Sequence, residues 1–182
     1  MIQPKWETVT REERFFTCIL YQDMLQNIEP LRILLQDKLK FPLSTMISDI
    51  GYEVCFFRDA YHAKPKLIKN RQQELEKQTF DLVLWLSDQS MIIIEAKAQQ
   101  GFNIDQIKML HESRKLISEL SVPPIPIKKI FLVGLCSSRY TPKPSTRDQF
   151  QSIITWDDIA RIYPSRNTCK AAYMCADSLY GK

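Results

Sequence analysis

The sequence predicts an α/β fold, a central mixed β-sheet flanked by helices. Three observations carry it. Two apolar runs, 80–86 and 91–96, are separated by Ser87-Asp88-Gln89-Ser90 and read as a strand hairpin. An amphipathic stretch at 103–120 then leads into a third apolar run at 129–136. Ahead of them, residues 10–39 are helical in pattern. Helix, strands, helix and strand in this order give a layered domain.

The elements follow in order. Thr10 to about Gln26 is predicted as a helix: Thr10-Arg11-Glu12-Glu13 fits a capping box, with Glu13 three residues after the cap. Phe16, Ile19, Leu20, Met24 and Ile28 form its apolar stripe, with Glu13 close to the line of that stripe. Pro30 reads as a break, Leu31 to Leu39 as a short second helix closed before Pro42. Gly51 to Phe57 alternates as a strand. Residues 58–79 form a long basic connection. Ile92-Ile93-Ile94 lacks alternation, so its strand should be covered on both faces. Asn103 can cap the 103–120 helix with Gln106 at its third position, and Ile104, Ile107, Leu110, Ile117 and Leu120 supply its apolar face. Residues 139–149 form a Pro-containing basic loop; Ile153-Ile154 is a short apolar piece, and Thr155 caps a helix to Ile162. Beyond Pro164 no element is predicted.

A length of 182 residues suits one domain, residues 1–182. The hydrophobic fraction of 45% and charged fraction of 25% are those of a soluble globular protein. The net charge of +4 does not by itself imply nucleic acid. Its distribution says more. From His62 to Arg71 there are Lys64, Lys66, Lys69 and Arg71 and no acid; from Ser121 to Arg147 there are Lys128, Lys129, Arg139, Lys143 and Arg147 and no acid. Acid-free basic zones of this kind suit a phosphate backbone. Five cysteines with no CxxC pair and two histidines argue against zinc, and they fit reduced core thiols in a cytoplasmic protein. The first residues lack an apolar signal core, and no run reaches the ~18–20 apolar residues of a membrane span, so no membrane partner is expected.

The chemistry lies at the hairpin's ends. Asp81 starts one strand; Glu95-Ala96-Lys97 closes the next. Antiparallel pairing brings Asp81 beside Glu95, and alternation puts Glu95 and Lys97 on one face with Ala96 turned away. Carboxylates and a lysine at the ends of apolar strands are costly unless a cation or substrate compensates them. Mg²⁺ is often held by one or two carboxylates plus water and substrate phosphate. A lysine beside such a metal can orient or deprotonate an attacking water.

Asp81 followed by Glu95-x-Lys97 resembles the signature of the PD-(D/E)XK nuclease superfamily, and the order of elements from about Thr10 to Cys136 resembles its αβββαβ core. The resemblance implies a restriction endonuclease-like fold and a nuclease, a hydrolase of DNA phosphodiester bonds that uses Mg²⁺, with Mn²⁺ able to substitute. Asp81 and Glu95 would hold the metal, with the Ala96 carbonyl as a further ligand. Lys97 would be the catalytic lysine. Glu13, or Glu12 beside it, would be the acid of the first helix, and Gln106 the glutamine that some subfamilies place on the helix after the motif. Both Glu13 and Gln106 also have capping roles open to them. Phe80 stands where the family pattern has Pro. Lys64, Lys66, Lys69, Arg71, Arg139 and Lys143 would contact the DNA backbone. Many enzymes of this fold cut as dimers, so a homodimer is one expectation. The alternative is a catalytically silent nucleic-acid- or partner-binding module on the same fold.

Overall fold

The structure is a computed structural model and describes residues 13–63, 78–120, 127–164 and 167–181. Five strands form one mixed sheet: β1 (Ile47–Val54), β2 (Phe80–Leu86), β3 (Ser90–Ala96), β4 (Lys129–Cys136) and β5 (Ser152–Thr155), lying side by side in chain order. β1, β2 and β3 are antiparallel neighbours; β3, β4 and β5 are parallel. Parallel pairing needs a crossover, and α4 (Ile104–Leu120) supplies the one between β3 and β4. The other helices are α1 (Glu13–Gln26), α2 (Glu29–Leu39), α3 (Phe56–Ala63), the single turn α5 (Pro144–Arg147), α6 (Trp156–Ile162) and α7 (Asn167–Ser178).

β3 is the centre. Every one of its residues is buried. Ile92 and Ile94 pack with Phe16, Leu20, Leu31 and Leu35 of α1 and α2, and with Trp156, Ile159 and Tyr173 of α6 and α7. Met91 and Ile93 pack on the opposite face with Ile107, Leu110 and Ile117 of α4. The run of three isoleucines is thus explained: two helical layers cover one strand. Each such side chain contributes roughly 1.5–3 kcal/mol when buried.

Several boundaries differ from the sequence reading. Pro30 is no break: it sits in the first turn of α2, where its missing N–H costs no helical bond. β1 begins earlier and ends earlier than expected, because Phe56 and Phe57 enter α3. Ile104 is 49% exposed rather than part of the apolar face of α4. His111 is half-buried, with Nε2 3.1 Å from the Gln149 carbonyl, which ties α4 to the segment before β5. α7 had no sequence signal, yet Ala172, Tyr173 and Ala176 close the core, and the Tyr173 hydroxyl donates to Asp23 of α1 at 2.7 Å. The expected Thr10 cap lies outside the described residues, as do the prolines after α4.

Thr155 fulfils its predicted role. Its hydroxyl accepts from the Asp158 N–H at 3.1 Å while the Asp158 carboxylate accepts from the Thr155 N–H at 3.0 Å. This reciprocal cap fixes the exit of β5 and seats Trp156, which is fully buried and donates from Nε1 to the Lys97 carbonyl at 3.0 Å. Thr155→Ala should lower stability by about 1 kcal/mol, a fall of roughly 2–4 °C in Tm at this size. Thermal unfolding followed by circular dichroism measures it; an unchanged Tm would show that the cap is not needed to hold α6.

Candidate active site

The β2–β3 ladder pairs Leu82 with Ile94 and goes no further. At the next step along both strands, Asp81 stands opposite Glu95. Here the Asp81 carboxylate takes over from the ladder: its Oδ2 accepts the Ala96 N–H at 2.8 Å. On the other side of β3 the backbone continues, with the Lys97 N–H donating to the Leu135 carbonyl at 2.7 Å. Ala96 turns its methyl to the opposite face, into the cluster with Phe16 and Leu135. Glu95 and Lys97 are therefore held at both ends of one peptide segment, and Lys97 Nζ donates to Glu95 Oε1 at 2.7 Å.

Glu13 arrives from 84 positions away in the chain. As the first residue of α1 it reaches past the strand end: Oε1 is 3.3 Å from Lys97 Nζ and Oε2 accepts the Ala98 N–H at 3.2 Å. Both of its oxygens thus engage the segment after β3. Its presence in the site, left open against capping by the sequence, is a matter of geometry here. Gln106 also lines the cleft, exposed on the first turn of α4, while Asn103 Oδ1 caps that helix by accepting the Asp105 N–H at 2.8 Å.

The cleft has a volume of about 320 Å³ and is lined by Glu13, Arg14, Glu53, Gln78, Thr79, Asp81, Glu95, Lys97, Gln106, Met109 and Leu110. Glu53 was not singled out from the sequence. The β1–β2 register pairs Tyr52 with Leu82 and Val54 with Phe80, which sets Glu53 opposite Asp81. Glu53, Asp81 and Glu95 therefore form one row across three strands. Like charges directly opposite one another destabilise a sheet. Glu53 also has φ of 52°, a left-handed backbone that costs a non-glycine residue about 1–2 kcal/mol. The row continues to Gly134 on β4. A Cβ there would lie 2.7 Å from the Phe102 ring, so glycine lets that ring close the row beside Glu95. The signal for Glu53 was present in the sequence as a charged residue alternating with Tyr52 and Val54; its neighbours across the sheet were not.

The charges do not balance. Among the described residues four carboxylates line the cleft against two cations, Arg14 and Lys97. Burial, then the neighbouring Glu95, pushes Asp81 up to about 7 from its ordinary 3.8. Burial also raises Glu95 and Glu13, more than Lys97 lowers them. For Lys97, burial pulls down but Glu95 and Glu13 outweigh it, and its ammonium is held above the ordinary lysine value. Lys97 is thus a firmly charged donor between two acids.

The donors available to a metal are oxygens: the carboxylates, with the amide and hydroxyl oxygens of Gln78, Thr79 and Gln106 also on the lining. This suits a hard dication such as Mg²⁺ or Mn²⁺, which keeps water in its shell, rather than Zn²⁺. Among the described residues no three His, Cys, Asp or Glu side chains are grouped as a metal cage. A dication held by Asp81 and Glu95 with water and phosphate needs no such cage, and the excess negative charge favours it.

The basic zones divide. Lys128 and Lys129 lie where β4 begins, with the Lys128 N–H donating to Gln89 in the β2–β3 turn, at the sheet end away from Glu95. Arg139, Lys143 and Arg147 are exposed on the segment between β4 and β5, which leaves β4 at the Glu95 end and returns to it where the Gln151 N–H donates to the Leu132 carbonyl. Lys64, Lys66, Lys69, Arg71 and Glu12 lie outside the described residues. No helix among the described residues is long and apolar enough to cross a membrane. Compared with protein-family models, curated proteins and solved structures, the chain matches none.

Asp81 makes the apoprotein sensitive to pH. Its folded carboxyl holds a proton up to about pH 7, whereas the unfolded chain releases it near 3.8. Between these values the native state binds more protons than the unfolded one, so stability falls as pH rises. In chelator, the urea midpoint should decline from pH 4 to pH 7, and Asp81→Asn should flatten that decline. A midpoint that rises through this window in wild type would contradict the buried, repelled carboxyl.

Proposed function

We propose that this chain is a Mg²⁺-dependent nuclease of the restriction endonuclease-like fold, hydrolysing DNA phosphodiester bonds at the Asp81–Glu95–Lys97 site. The observation that carries the reading is the convergence of Glu13, Asp81, Glu95 and Lys97 in one cleft. Glu13 comes from α1, Asp81 from β2, and Glu95 and Lys97 from β3 and its exit. The β2–β3 hairpin, the α4 crossover and parallel β4 also follow the αβββαβ order.

Asp81 and Glu95 would hold Mg²⁺, which when bound supplies Lewis acidity and lowers the pKa of a coordinated water. The chain's own groups do the rest. Lys97, charged and fixed by Glu95 and Glu13, donates hydrogen bonds to the oxygen of the attacking water or to the phosphoryl oxygens as negative charge builds on them. Glu13 positions Lys97 and binds the Ala98 N–H, so α1 and β3 hold the lysine from both sides. Arg139 and Lys143, exposed on the segment that leaves β4 at the Glu95 end, would meet the flanking phosphates.

The rival is a catalytically silent binding module. One observation favours it: Lys97 already satisfies Glu13 and Glu95 in a closed ion network. Activity separates the two. Plasmid and branched DNA should be cut in Mg²⁺ or Mn²⁺ by wild type. Asp81→Asn and Lys97→Ala should each slow cutting by about 10²-fold or more. Mg²⁺ should also raise the Tm of wild type but not of Asp81→Asn. Metal-dependent cutting that survives both substitutions would remove this site assignment, and tight DNA binding without any cutting would establish the silent module.

A further inference from the structure

Among the described residues, the two cations of the cleft are in different states. Lys97 is 5% exposed in its side chain and spent on the buried Glu95 and the half-buried Glu13. Arg14 lies on the rim and its side chain is 75% exposed. Its Nε makes one 3.4 Å contact, to Glu53 Oε1, and among the described residues nothing else pairs with the guanidinium. Its backbone is held firmly: the Tyr52 hydroxyl donates to the Arg14 carbonyl at 3.0 Å, and the Tyr52 ring stacks on Tyr21 of α1 with centroids 5.6 Å apart. Arg14 therefore combines a fixed root with a loosely held head, next in sequence to Glu13.

We propose that Arg14 is a substrate-phosphate contact and that Glu53 occupies its place as an internal anion until the nucleic acid arrives. This rests on the nuclease reading above. A guanidinium binds phosphate through two parallel N–H groups, a better match than one long contact to a carboxylate. Exposed ion pairs are worth little, so the exchange costs little. The exchange also has an electrostatic reason. A cleft lined by these four acids repels a polyanion, and among the described residues Arg14 is the accessible cation on its wall. Turning Arg14 from Glu53 to phosphate gives the backbone a positive contact at the rim. Glu53 is left facing Asp81, where the acidic row favours a dication. The contact is to the backbone, so it acts on all base sequences alike.

The test is equilibrium binding of fluorescein-labelled duplex and single-stranded oligonucleotides, with Ca²⁺ in place of Mg²⁺, as a function of salt. Arg14→Gln should weaken binding about tenfold and reduce the magnitude of the salt slope by about one. Arg14→Lys should keep the slope while losing part of the affinity, because the charge remains and the fork does not. Glu53→Gln should tighten binding about twofold to fivefold by freeing Arg14. In steady-state cutting with Mg²⁺ the Arg14→Gln loss should fall on KM rather than kcat. A wild type that binds and cuts DNA alongside an Arg14→Gln variant of equal slope and KM overturns this assignment and leaves the nuclease reading standing. Weaker binding in Glu53→Gln overturns the placeholder role. A wild type that neither binds nor cuts DNA overturns both readings.

Discussion

The ammonium of Lys97 is the contact on which the site end of this molecule depends. It joins β3 to α1 through Glu95 and Glu13, inside a layer that is otherwise apolar. Without it, Glu95 would be buried and Glu13 half-buried with no counter-charge, and breaking the buried Lys97–Glu95 pair alone is a loss of about 3–5 kcal/mol. With it, the described cleft still holds more acids than cations, and burial with mutual repulsion raises Asp81, Glu95 and Glu13 above their ordinary values. The fold thus holds these groups at a cost that core packing elsewhere offsets. A site that neutralised itself completely would be more stable and would offer a dication less.

The architecture explains where this cost is placed. β3 is covered on both faces along its whole length, so no carboxylate could be tolerated in its middle. At its C-terminal end the ladder to β2 stops, the chain leaves the sheet, and side chains replace backbone as hydrogen-bond partners. α1 and α4 end or begin nearby and close the cleft from opposite faces. The segment with Arg139 leaves β4 at this same end, while Lys128 and Lys129 sit at the far end beside the β2–β3 turn. The buried polar cluster is thus confined to one end of the sheet.

Much of this was legible because it is local. Strands β2, β3 and β4 have continuous apolar runs, and the Thr155 and Asn103 caps are short-range patterns. Asp81, Glu95 and Lys97 could be grouped by hairpin register alone. The errors have physical causes too. Phe56 and Phe57 suit strand or helix equally and were drawn into α3 by packing. α7 is built from Ala, Tyr and Cys, whose pattern is weak in sequence and whose helix is fixed by the core it covers.

What the sequence determined by itself was periodicity: which runs are strands, which are helices, and which two acids and one lysine fall at the ends of a hairpin. What the tertiary structure decided was company. It chose Glu13's partners, because a helix terminus can reach a strand end only once both are packed on the same sheet. It also set Glu53 across from Asp81 and Arg14 beside Glu53. Such neighbours are separated by tens of residues, and no local pattern records them.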